Sequence, residues 1–486
     1  MTFATLVDLR AAENPGGLAV ADSTTSLTNA ELLTRVGAVA AQLADLGITS
    51  GDVVAVRLTN RGEFVTLLFA AWRLGATITP VNPALTDVEV ARQLDDSAAK
   101  VLVIEEETVG VGDVPTLYVD ELARESRTEI APVQDPSALA LLIYTSGTTG
   151  TPKGVMLDHA NLDAMTAMGR DALKVGPDDR CLLILPLFHV NGIVVSVLTP
   201  LLVGASVVIA ERFNPTTFFE TVERERPTFF SAVPTIYSML AALPDDVRPD
   251  TSSVRFAVCG AAPAPAELLA RFEDRYGFPL VEGYGLSEAT CGSTINPIDG
   301  SRKPGTVGLP FPGQELRIVG SEGDTVEPGE NGEVEVRGQN VMRGYLGRPS
   351  ETAAVISDGW LRTGDLGHID EDGYLTIVGR SKEMIIRGGE NIYPKEIEDV
   401  LAGDPAVLEA AVVGVPDEKW GEVVVAFVQP RPGATVNLGE LKARCRGSLS
   451  SYKRPTTIHV LEVLPKSAVG KLDKRSLSEW LTAAPR

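Results

Sequence analysis

The sequence predicts an α/β fold: a large N-terminal domain of layered α/β subdomains plus a small β-rich subdomain, followed by a small α+β C-terminal domain. Three observations lead to this prediction. The chain has 486 residues, which corresponds to roughly three domain-sized units. Helix-like and strand-like segments alternate through the N-terminal half, a pattern typical of helices that cover largely parallel sheets. The pattern then changes near residue 300 and again after Gly379-Arg380.

The alternation of helices and strands is clearest between residues 28 and 79. Thr28 and Glu31 have the spacing of a capping box, and the apolar residues after them repeat on one helical face until Gly47. A strand-like run at 53–56 precedes a helix-like run that ends at Gly75. Further strand-like runs are found at 101–104, 141–144, 206–209 and 254–258.

Two smaller units are predicted in the C-terminal part of the chain. From about 300 to 380, short strands separated by Gly- and Pro-rich turns indicate a β-rich subdomain. The expected elements after it are helices at 394–402, 437–446 and near 476–483, and strands at 407–415, 421–429 and 457–464. We therefore predict an N-terminal domain of residues 1–380 and a C-terminal domain of residues 381–486, joined at Arg380-Ser381-Lys382.

Composition limits the classes of function. Lys and Arg number 43 and Asp and Glu number 65, so the formal charge is −22, which disfavours nucleic acid and anionic membrane surfaces as partners. The four cysteines have neither metal-ligand nor disulfide spacing, and the N-terminus has no apolar signal region, so we expect a cytoplasmic setting. The uncharged stretch 181–210 is interrupted by Pro186, Pro200 and Gly204, which favours buried strands and a helix over a transmembrane span.

The strongest functional signal is the segment 144–154, YTSGTTGTPKG. It directly follows a strand-like run and combines glycines, hydroxyl side chains and Lys153. Glycines let backbone N–H groups approach phosphate oxygens, hydroxyls donate hydrogen bonds, and a lysine adds positive charge. A Walker A loop is excluded because Gly154, rather than Ser or Thr, follows the lysine. The alternative is a surface turn. The segment lies directly after a core strand, however, and this position favours a phosphate-binding loop.

This segment closely resembles the phosphate loop of the adenylate-forming superfamily, which includes acyl-CoA synthetases, coumarate–CoA ligases, luciferases and peptide-synthetase adenylation domains. The resemblance extends, motif by motif, from about residue 25 to about residue 475. It implies an ATP-dependent carboxylic acid–CoA ligase of the acyl-CoA synthetase branch, which releases AMP and pyrophosphate. The residues that it implies for binding the ATP phosphates are Thr145, Ser146, Gly147, Thr148, Thr149, Gly150 and Lys153.

The second motif is the segment 282–288, EGYGLSE, which taken alone is compatible with a simple strand-to-loop connection. The resemblance implies that Tyr284 stacks on adenine, that Ser287 contacts a phosphate and that Glu288 binds Mg²⁺. One carboxylate together with substrate phosphates is the usual arrangement for magnesium. The resemblance assigns adenine and ribose binding to Gly260, Ala261, Ala262, Glu282, Gly283 and Tyr284. Ordinary packing of small residues is the alternative for the segment 260–262.

A third motif lies in the segment 360–365, WLRTGD. The resemblance implies that Asp365 accepts hydrogen bonds from the ribose hydroxyls, with Arg380 beside it. An Asp in a β-turn is the alternative. Lys382 matches the position at which the superfamily has its hinge.

Two further motifs lie in the predicted C-terminal domain. Gly388 and Gly389 match the glycines that line the tunnel for the pantetheine arm of CoA, although a hairpin turn would also explain them. Lys471 matches the lysine that bridges the substrate carboxylate and the α-phosphate, and it is our candidate catalytic residue. A solvated lysine is the alternative.

The implied reaction explains why these residue types are needed. A carboxylate with a pKa of about 4 is already ionised at neutral pH, so no general base is required. The obstacle is repulsion between two anions, which Lys471, Lys153 and Mg²⁺ on Glu288 would reduce. A thiol then attacks the acyl-adenylate. Because Lys471 and Gly388-Gly389 share the small domain, the resemblance implies a mobile lid that rotates about Lys382.

The acyl pocket is expected to be neutral. Its candidate residues are His189, Asn191, Gly192, Val233, Tyr237 and Ala289, together with Gly260 and Gly283. Relatives that act on malonate place an Arg where this chain has Gly283, and relatives that activate amino acids place an Asp near 186–189. We therefore expect a fatty, aryl or alicyclic acid. His189 is interpreted as a gate, with a core histidine as the alternative.

Two other functions remain open at this point. The chain could stop at the adenylate or load a carrier protein, or it could be a non-catalytic nucleotide-binding protein of the same fold. The second of these is disfavoured because Lys153, Glu288, Asp365 and Lys471 are all present. The expected partners are the acid, ATP and CoA, and a homodimer is left open.

Overall fold

The computed structural model describes residues 2–105, 108–145, 152–262, 264–388, 390–417, 419–466 and 472–483. The chain divides into two compact units. The large unit comprises Met1–Leu316 and Val336–Arg362, and the small unit comprises Arg317–Glu335 and Thr363–Arg486. The domain boundary at residue 380 stays a prediction.

The first part of the large unit alternates helices with short strands, as predicted. Its elements in chain order are α1 (Leu6–Glu13), β1 (Leu18–Ala21), β2 (Ser26–Thr28), α2 (Asn29–Asp45), β3 (Val53–Arg57), α3 (Gly62–Arg73), β4 (Thr77–Pro80), α4 (Asp87–Ser97), β5 (Ala99–Ile104), β6 (Thr116–Tyr118) and β7 (Leu139–Thr145). The predicted capping box is confirmed. The Thr28 hydroxyl accepts the Glu31 N–H at 3.3 Å, and the Glu31 carboxylate accepts the Thr28 N–H at 2.8 Å.

The next part of the large unit continues the alternation. Its elements are β8 (Lys153–Asp158), α5 (His159–Leu173), β9 (Arg180–Leu183), α6 (Val190–Ile193), α7 (Thr199–Leu202), β10 (Ser206–Ile209), α8 (Phe218–Glu225), β11 (Phe229–Ala232), α9 (Pro234–Ala241), β12 (Phe256–Cys259), α10 (Ala266–Tyr276), β13 (Leu280–Tyr284), β14 (Thr294–Ile295) and β15 (Leu309–Pro310). The uncharged stretch 181–210 thus forms two strands and, between them, short helical segments joined by a π-helical turn, Val194–Leu198. Among the described residues, no helix is both long and apolar enough to cross a membrane.

Short strands predominate between residues 315 and 380, as predicted for the β-rich region. The elements are β16 (Glu315–Val319), β17 (Gly332–Arg337), β18 (Gly344–Tyr345), α11 (Pro349–Val355), β19 (Ile356–Ser357), β20 (Trp360–Ile369) and β21 (Leu375–Arg380). In the small unit, β20 and β21 pair antiparallel, with Asp365 opposite Arg380.

Two mixed sheets form the framework of the large unit. One has the strand order β15-β14-β13-β12-β11-β9-β10-β1-β2, and the other has the order β18-β8-β7-β4-β3-β5-β6. The central strands of both are parallel, whereas β7, β8 and β18 pair antiparallel. This arrangement places the phosphate motif directly after β7, and the motif 282–288 at the end of β13.

Helix α3 is almost entirely buried beside β7. Phe69 and Trp72 have no exposed surface, and the Trp72 indole N–H donates to the Ala140 carbonyl at 2.8 Å. Against the sheet that contains β11, the rings of Phe230, Tyr237 and Phe272 pack together in a second buried cluster. Packing in these two clusters supports the sheets, and the ends of their strands carry the candidate site residues.

The remainder of the small unit is an α+β sandwich. Its elements are β22 (Ile385–Arg387), β23 (Glu390–Ile392), α12 (Pro394–Ala402), β24 (Val407–Asp417), β25 (Gly421–Pro430), α13 (Leu438–Ser448), β26 (Thr457–Val460) and α14 (Lys474–Ala483). Alternate residues of a strand face opposite sides of a sheet. Accordingly Val412 packs in the cluster that contains residues of α12 and α13, whereas Val413 packs in the cluster that contains Leu477 of α14. The strand predicted at 457–464 ends early, at Val460, because the chain turns there and the Leu464 N–H donates to the Gln429 side chain at 2.9 Å.

Candidate active site

The two ends of the phosphate motif lie side by side. Thr145, the last residue of β7, is paired with Lys153, the first residue of β8. The predicted phosphate-binding residues Ser146, Gly147, Thr148, Thr149 and Gly150 lie outside the described residues. Just before them, the Tyr144 hydroxyl donates to the Asp96 carboxylate at 2.7 Å. Burial, followed by this hydrogen bond, raises the pKa of Tyr144, so its hydroxyl stays protonated as a donor.

Lys153 lies between an acid and an aromatic ring. Its ammonium group forms an ion pair with Glu351, and it lies 4.9 Å from the centre of the Tyr345 ring. The hydrogen bond from Lys153 is the largest effect that lowers the pKa of the Glu351 carboxyl. The lysine side chain is 16% exposed, so it remains accessible to an anion while being held on two sides.

The turn after β13 is built by close backbone contacts. A Cβ atom on Gly285 would lie 1.8 Å from the carbonyl oxygen of Cys291, so the turn 285–291 requires glycine there. Asn340 anchors the turn, since its side-chain amide donates to the Ala289 carbonyl at 2.8 Å and its own carbonyl accepts the Thr290 hydroxyl at 2.5 Å. The single 3₁₀ turn Ser287–Ala289, which contains the predicted metal ligand, is therefore rigidly supported.

Glu288 is oriented by a residue that the sequence analysis missed. The Tyr345 hydroxyl donates to the Glu288 carboxylate at 2.9 Å, and the Met342 N–H donates to the Glu288 carbonyl at 2.8 Å. Tyr345 thus contacts both the predicted metal ligand and the predicted phosphate lysine, Lys153. No local spacing links Tyr345 to either residue, because the contacts depend on the pairing of β18 with β8.

The donor chemistry at Glu288 fits a magnesium ion. Among the described residues, no group of three or more His, Cys, Asp or Glu side chains could enclose a metal by itself. Mg²⁺ is instead usually bound by one or two carboxylates, with water and substrate phosphates as the other ligands. A half-buried carboxylate such as Glu288, fixed through one oxygen by a neutral hydroxyl, is suited to that role.

The predicted adenine-side residues meet at the ends of β12 and β13. Gly260 and Gly283 are neighbours, since a Cβ on Gly260 would lie 3.5 Å from the Gly283 carbonyl oxygen. Ala261 and Ala262 are exposed, and Tyr284 is partly exposed. These residues therefore form an open wall of small residues beside an aromatic ring.

Glu282 is held by the fold. Its side chain is buried, and one carboxylate oxygen accepts the Ala264 N–H at 2.9 Å. This hydrogen bond ties β13 to the segment that follows β12. Its predicted role in binding adenine or ribose stays a prediction, and the contact with Ala264 shows in addition that Glu282 supports the wall.

The predicted acyl-pocket residues belong to two environments. Tyr237 is fully buried in the hydrophobic core, where its hydroxyl donates to the Val258 carbonyl at 2.7 Å, and Val233 precedes the helix that carries it. His189 contacts the ring of Phe188 and begins helix α6. These side chains can form a wall of the predicted acyl pocket. The Tyr237 hydroxyl already donates its hydrogen to Val258, so it cannot donate to a substrate.

The other predicted pocket residues lie close to the Glu288 turn. A Cβ on Gly192 would lie 2.8 Å from the Pro186 carbonyl oxygen, so this glycine allows α6 to pack against the chain before it. Burial raises the pKa of the Cys291 thiol to about 12, and a hydrogen bond with the Asn191 amide opposes that rise. Within the described chain, the buried Oδ1 atom of Asn191 has no hydrogen-bond partner. Asn191 is therefore adjacent to the segment that includes Ala289.

The ribose motif lies in the small unit. Arg380 Nε and Asp365 Oδ1 are 2.8 Å apart, and the Asp365 N–H donates to the Thr363 hydroxyl at 3.1 Å. Asp365 is buried whereas Arg380 is half exposed. The predicted neighbours are thus confirmed as a pair. Lys382 is exposed in the single turn Ser381–Glu383 that follows.

Gly388 adopts a backbone conformation that favours glycine. Its φ is +61°, its N–H donates to the Trp420 carbonyl at 2.7 Å, and a Cβ there would lie 3.1 Å from the Trp420 ring. Its predicted partner, Gly389, lies outside the described residues.

Lys471 also lies outside the described residues, but the chain on both sides of it is described. Lys466 and Leu472 form an antiparallel bridge, and the Asp473 N–H donates to the Pro465 carbonyl at 2.9 Å. The described residues that flank the segment 467–471 are therefore adjacent.

Family models and known proteins match most of this chain. Residues 7–346 match the model of a family described as AMP-binding enzyme, and residues 396–471 match the AMP-binding enzyme C-terminal domain. The chain is 40% identical to a feruloyl-CoA synthase from an Amycolatopsis species, over 96% of each chain. It is 37% identical to an oxalate–CoA ligase from Arabidopsis thaliana, over 95% of this chain and 94% of the relative.

A solved structure shows the same fold. The o-succinylbenzoate CoA synthetase from Bacillus subtilis, in complex with its acyl-adenylate intermediate, superimposes with a TM-score of 0.91 at 35% identity. The match covers 99% of this chain and 98% of that one.

Proposed function

Because this chain belongs to the AMP-binding enzyme family and is an AMP-forming acid–CoA ligase, we propose that it activates a neutral, mainly apolar carboxylic acid and that Lys153, Glu288 and Lys471 supply the charge for that step. ATP and CoA are its co-substrates. The observation that carries the proposal is the cluster at the end of β7 and β13, where Tyr345 contacts both the Lys153 ammonium and the Glu288 carboxylate.

The first half-reaction joins two anions. A carboxylate oxygen of the acid attacks the α-phosphorus of ATP, and the bond from that phosphorus to the bridging oxygen of pyrophosphate breaks. Mg²⁺, when bound at Glu288, would neutralise part of the phosphate charge. Lys153 is proposed to hold the departing phosphates, and Lys471 is proposed to bridge the carboxylate and the α-phosphate. These groups provide positioning and electrostatic stabilisation, which phosphoryl transfer chiefly requires.

The second half-reaction transfers the acyl group to a thiol. The CoA sulfur attacks the carbonyl carbon of the acyl-adenylate, and AMP leaves with the electrons of the broken carbon–oxygen bond. We place the pantetheine arm at Gly388 and Gly389, because a side chain at Gly388 would be strained and would meet Trp420. Asp365 and Arg380 are proposed to hold the ribose.

Lys471 and the Gly388 turn serve different half-reactions in this scheme. We propose that a C-terminal domain of residues 381–486 rotates about Lys382 and presents them in turn. The exposed single turn Ser381–Glu383 is consistent with a short connection that can change its backbone angles.

The proposed substrate class rests on the pocket residues. None of the candidates His189, Asn191, Gly192, Val233, Tyr237 and Ala289 carries a fixed charge. At Gly283, a Cβ would lie 3.0 Å from the Thr294 carbonyl oxygen, so an Arg at this position would need the neighbouring strand to move. A carboxylate or ammonium group on the acyl tail would therefore find no charged partner among these residues. The oxalate-specific name of one relative makes diacids the sharpest competing substrates to test.

A substrate panel tests the proposal. Fatty, aryl and alicyclic acids, with malonate and oxalate as diacid controls, are incubated with ATP and Mg²⁺, with and without CoA, while pyrophosphate and thioester are measured. We expect pyrophosphate release with one or more neutral acids, and thioester when CoA is present. Preference for a diacid would overturn the substrate class. Pyrophosphate without thioester would favour loading of a carrier protein, and no ATP turnover with any acid would favour a non-catalytic nucleotide-binding protein.

A further inference from the structure

Tyr345 lies between two groups that are distant in sequence. Its hydroxyl donates to Glu288 Oε1 at 2.9 Å, while the centre of its ring lies 4.9 Å from the Lys153 ammonium. We propose that Tyr345 is a positioning residue for the nucleotide site. Its hydroxyl orients the Glu288 carboxylate toward the metal, and its aromatic ring holds the Lys153 ammonium in place. This inference rests on the proposed function, since it assigns Mg²⁺ to Glu288 and phosphate to Lys153.

The hydrogen bond from the Tyr345 hydroxyl to Glu288 can orient a metal ligand. A phenol hydroxyl carries a hydrogen whereas a carboxylate does not, so the Tyr345 hydroxyl is the donor and Glu288 Oε1 is the acceptor. A carboxylate that accepts a hydrogen bond on Oε1 is restricted in its rotation and keeps Oε2 for another partner. Hydrogen-bond partners of this kind orient ligands and raise the affinity of metal sites.

The ring contact concerns charge. A cation over the face of an aromatic ring is attracted by the ring quadrupole without being neutralised by it. The carboxylate of Glu351 is the other partner of Lys153. Tyr345 can therefore keep Lys153 in place if the ammonium exchanges Glu351 for a phosphate.

The backbone of Tyr345 is itself fixed to the strand that carries Lys153. Tyr345 pairs with Val155 of β8, and the next residue, Leu346, donates its N–H to the Gly154 carbonyl at 2.9 Å. The Tyr345 N–H donates to the Thr352 hydroxyl at 2.9 Å. Tyr345 is therefore a firmly held side chain that contacts both the Glu288 carboxylate and the Lys153 ammonium.

Two variants separate the two contacts. Tyr345→Phe keeps the ring over Lys153 and removes the hydrogen bond to Glu288, whereas Tyr345→Leu removes both. The matched control is Tyr276→Phe, which removes a buried hydroxyl that donates to the Leu240 carbonyl at 2.6 Å in the core of the same unit. Circular dichroism and thermal unfolding of each variant establish that it is folded.

The measurements distinguish orientation of the metal ligand from a purely structural role. The affinity for α,β-methylene-ATP is determined by calorimetry with Mg²⁺ and with EDTA. We expect Tyr345→Phe to weaken binding roughly ten- to a hundredfold in Mg²⁺, as for loss of a hydrogen bond that orients a metal ligand, and to leave binding in EDTA unchanged. Tyr345→Leu should weaken binding under both conditions, and Tyr276→Phe under neither. The Mg²⁺ concentration for half-maximal pyrophosphate release should rise in Tyr345→Phe, with the KM for the acid unchanged.

The inference is overturned if Tyr345→Phe binds the analogue as the wild type does in Mg²⁺, or loses affinity equally in Mg²⁺ and EDTA. A second test combines Tyr345→Phe with a change in its hydrogen-bond partner. In a double-mutant cycle with Glu288→Gln, the effect of Tyr345→Phe on binding in Mg²⁺ should vanish, and additive effects would contradict the proposal. The proposed function fails separately, if the wild-type chain releases no pyrophosphate with any acid, whereas the binding measurements still test Tyr345.

Discussion

The Lys153 ammonium forms an ion pair with the Glu351 carboxylate, which also lies 3.3 Å from the Arg348 guanidinium. Glu351 therefore pairs with the positive charge that is proposed to bind the nucleotide phosphates. If Lys153 binds ATP, this ion pair has to exchange for a phosphate contact. The strength of the pair then enters the apparent affinity for ATP.

Glu351→Gln removes the competing charge and should lower the KM for ATP. Exposed ion pairs are weak, so we expect a decrease of no more than about fivefold. Steady-state pyrophosphate release at varied ATP measures the change. Glu220→Gln, which removes an acid from an exposed position on α8, is the matched control and should leave the KM unchanged. An increased KM for Glu351→Gln would show that the acid helps to bind the nucleotide.

Asp365 is predicted to hold the ribose hydroxyls. Loss of hydrogen bonds to a charged acceptor costs about 1.5–3 kcal/mol, so Asp365→Ala should raise the Kd for ATP roughly ten- to a hundredfold. Arg380 is half exposed and can be solvated without its partner. The specific comparison is ATP against 2′,3′-dideoxy-ATP by calorimetry: the wild type should discriminate between them, and the variant should bind both alike. Equal discrimination by both proteins would exclude the ribose role.

Lys471 and Gly388 should affect opposite half-reactions. Lys471→Ala should reduce ATP–pyrophosphate exchange about a hundredfold or more by removing charge stabilisation, but it should leave the conversion of preformed acyl-adenylate to thioester intact. Gly388→Ala should slow thioester formation and spare the exchange, because φ is +61° and Trp420 is 3.1 Å from the added Cβ. Equal loss of both steps in either variant would contradict this division.

His159 should make the large unit less stable in mild acid. It is 2% exposed, and burial lowers the pKa of its imidazole from 6.5 to about 4. The unfolded chain therefore binds the proton first, so stability is fully present above about pH 6.5 and is lost as the pH falls toward 4. Between pH 7 and pH 5 the loss should be about 2 kcal/mol.

Denaturant unfolding at the two pH values measures this effect. His159→Gln should flatten the dependence on pH, whereas His368→Gln, which alters a partly exposed side chain hydrogen-bonded to Asn331, should retain the wild-type slope. An unchanged slope in His159→Gln would assign the acid sensitivity to other groups.

Features with local causes were predictable from the sequence. The capping box of Thr28 and Glu31 formed as predicted because both partners lie within one helical turn. The uncharged stretch 181–210 was correctly divided, since its prolines and glycines interrupt any long helix. Asp365 and Arg380 were expected together and are paired across β20 and β21.

Features that depend on distant pairing were not predictable. Tyr345 is 57 residues from Glu288, and their contact exists because β18 adds to the edge of the sheet beside β8. The same pairing brings Glu351 to Lys153. No periodicity or motif spacing carries that information, because it arises from tertiary packing. The buried hydrogen bond between the Ala264 N–H and the Glu282 carboxylate also arises from tertiary packing.

The central claim is that the acid itself attacks the α-phosphorus of ATP. The most direct measurement uses an acid labelled with ¹⁸O in both carboxylate oxygens, with ATP, Mg²⁺ and CoA, followed by mass spectrometry of the products. We expect one ¹⁸O atom in AMP, none in pyrophosphate, and one retained in the thioester carbonyl. Unlabelled AMP, or formation of ADP and phosphate in its place, would contradict it.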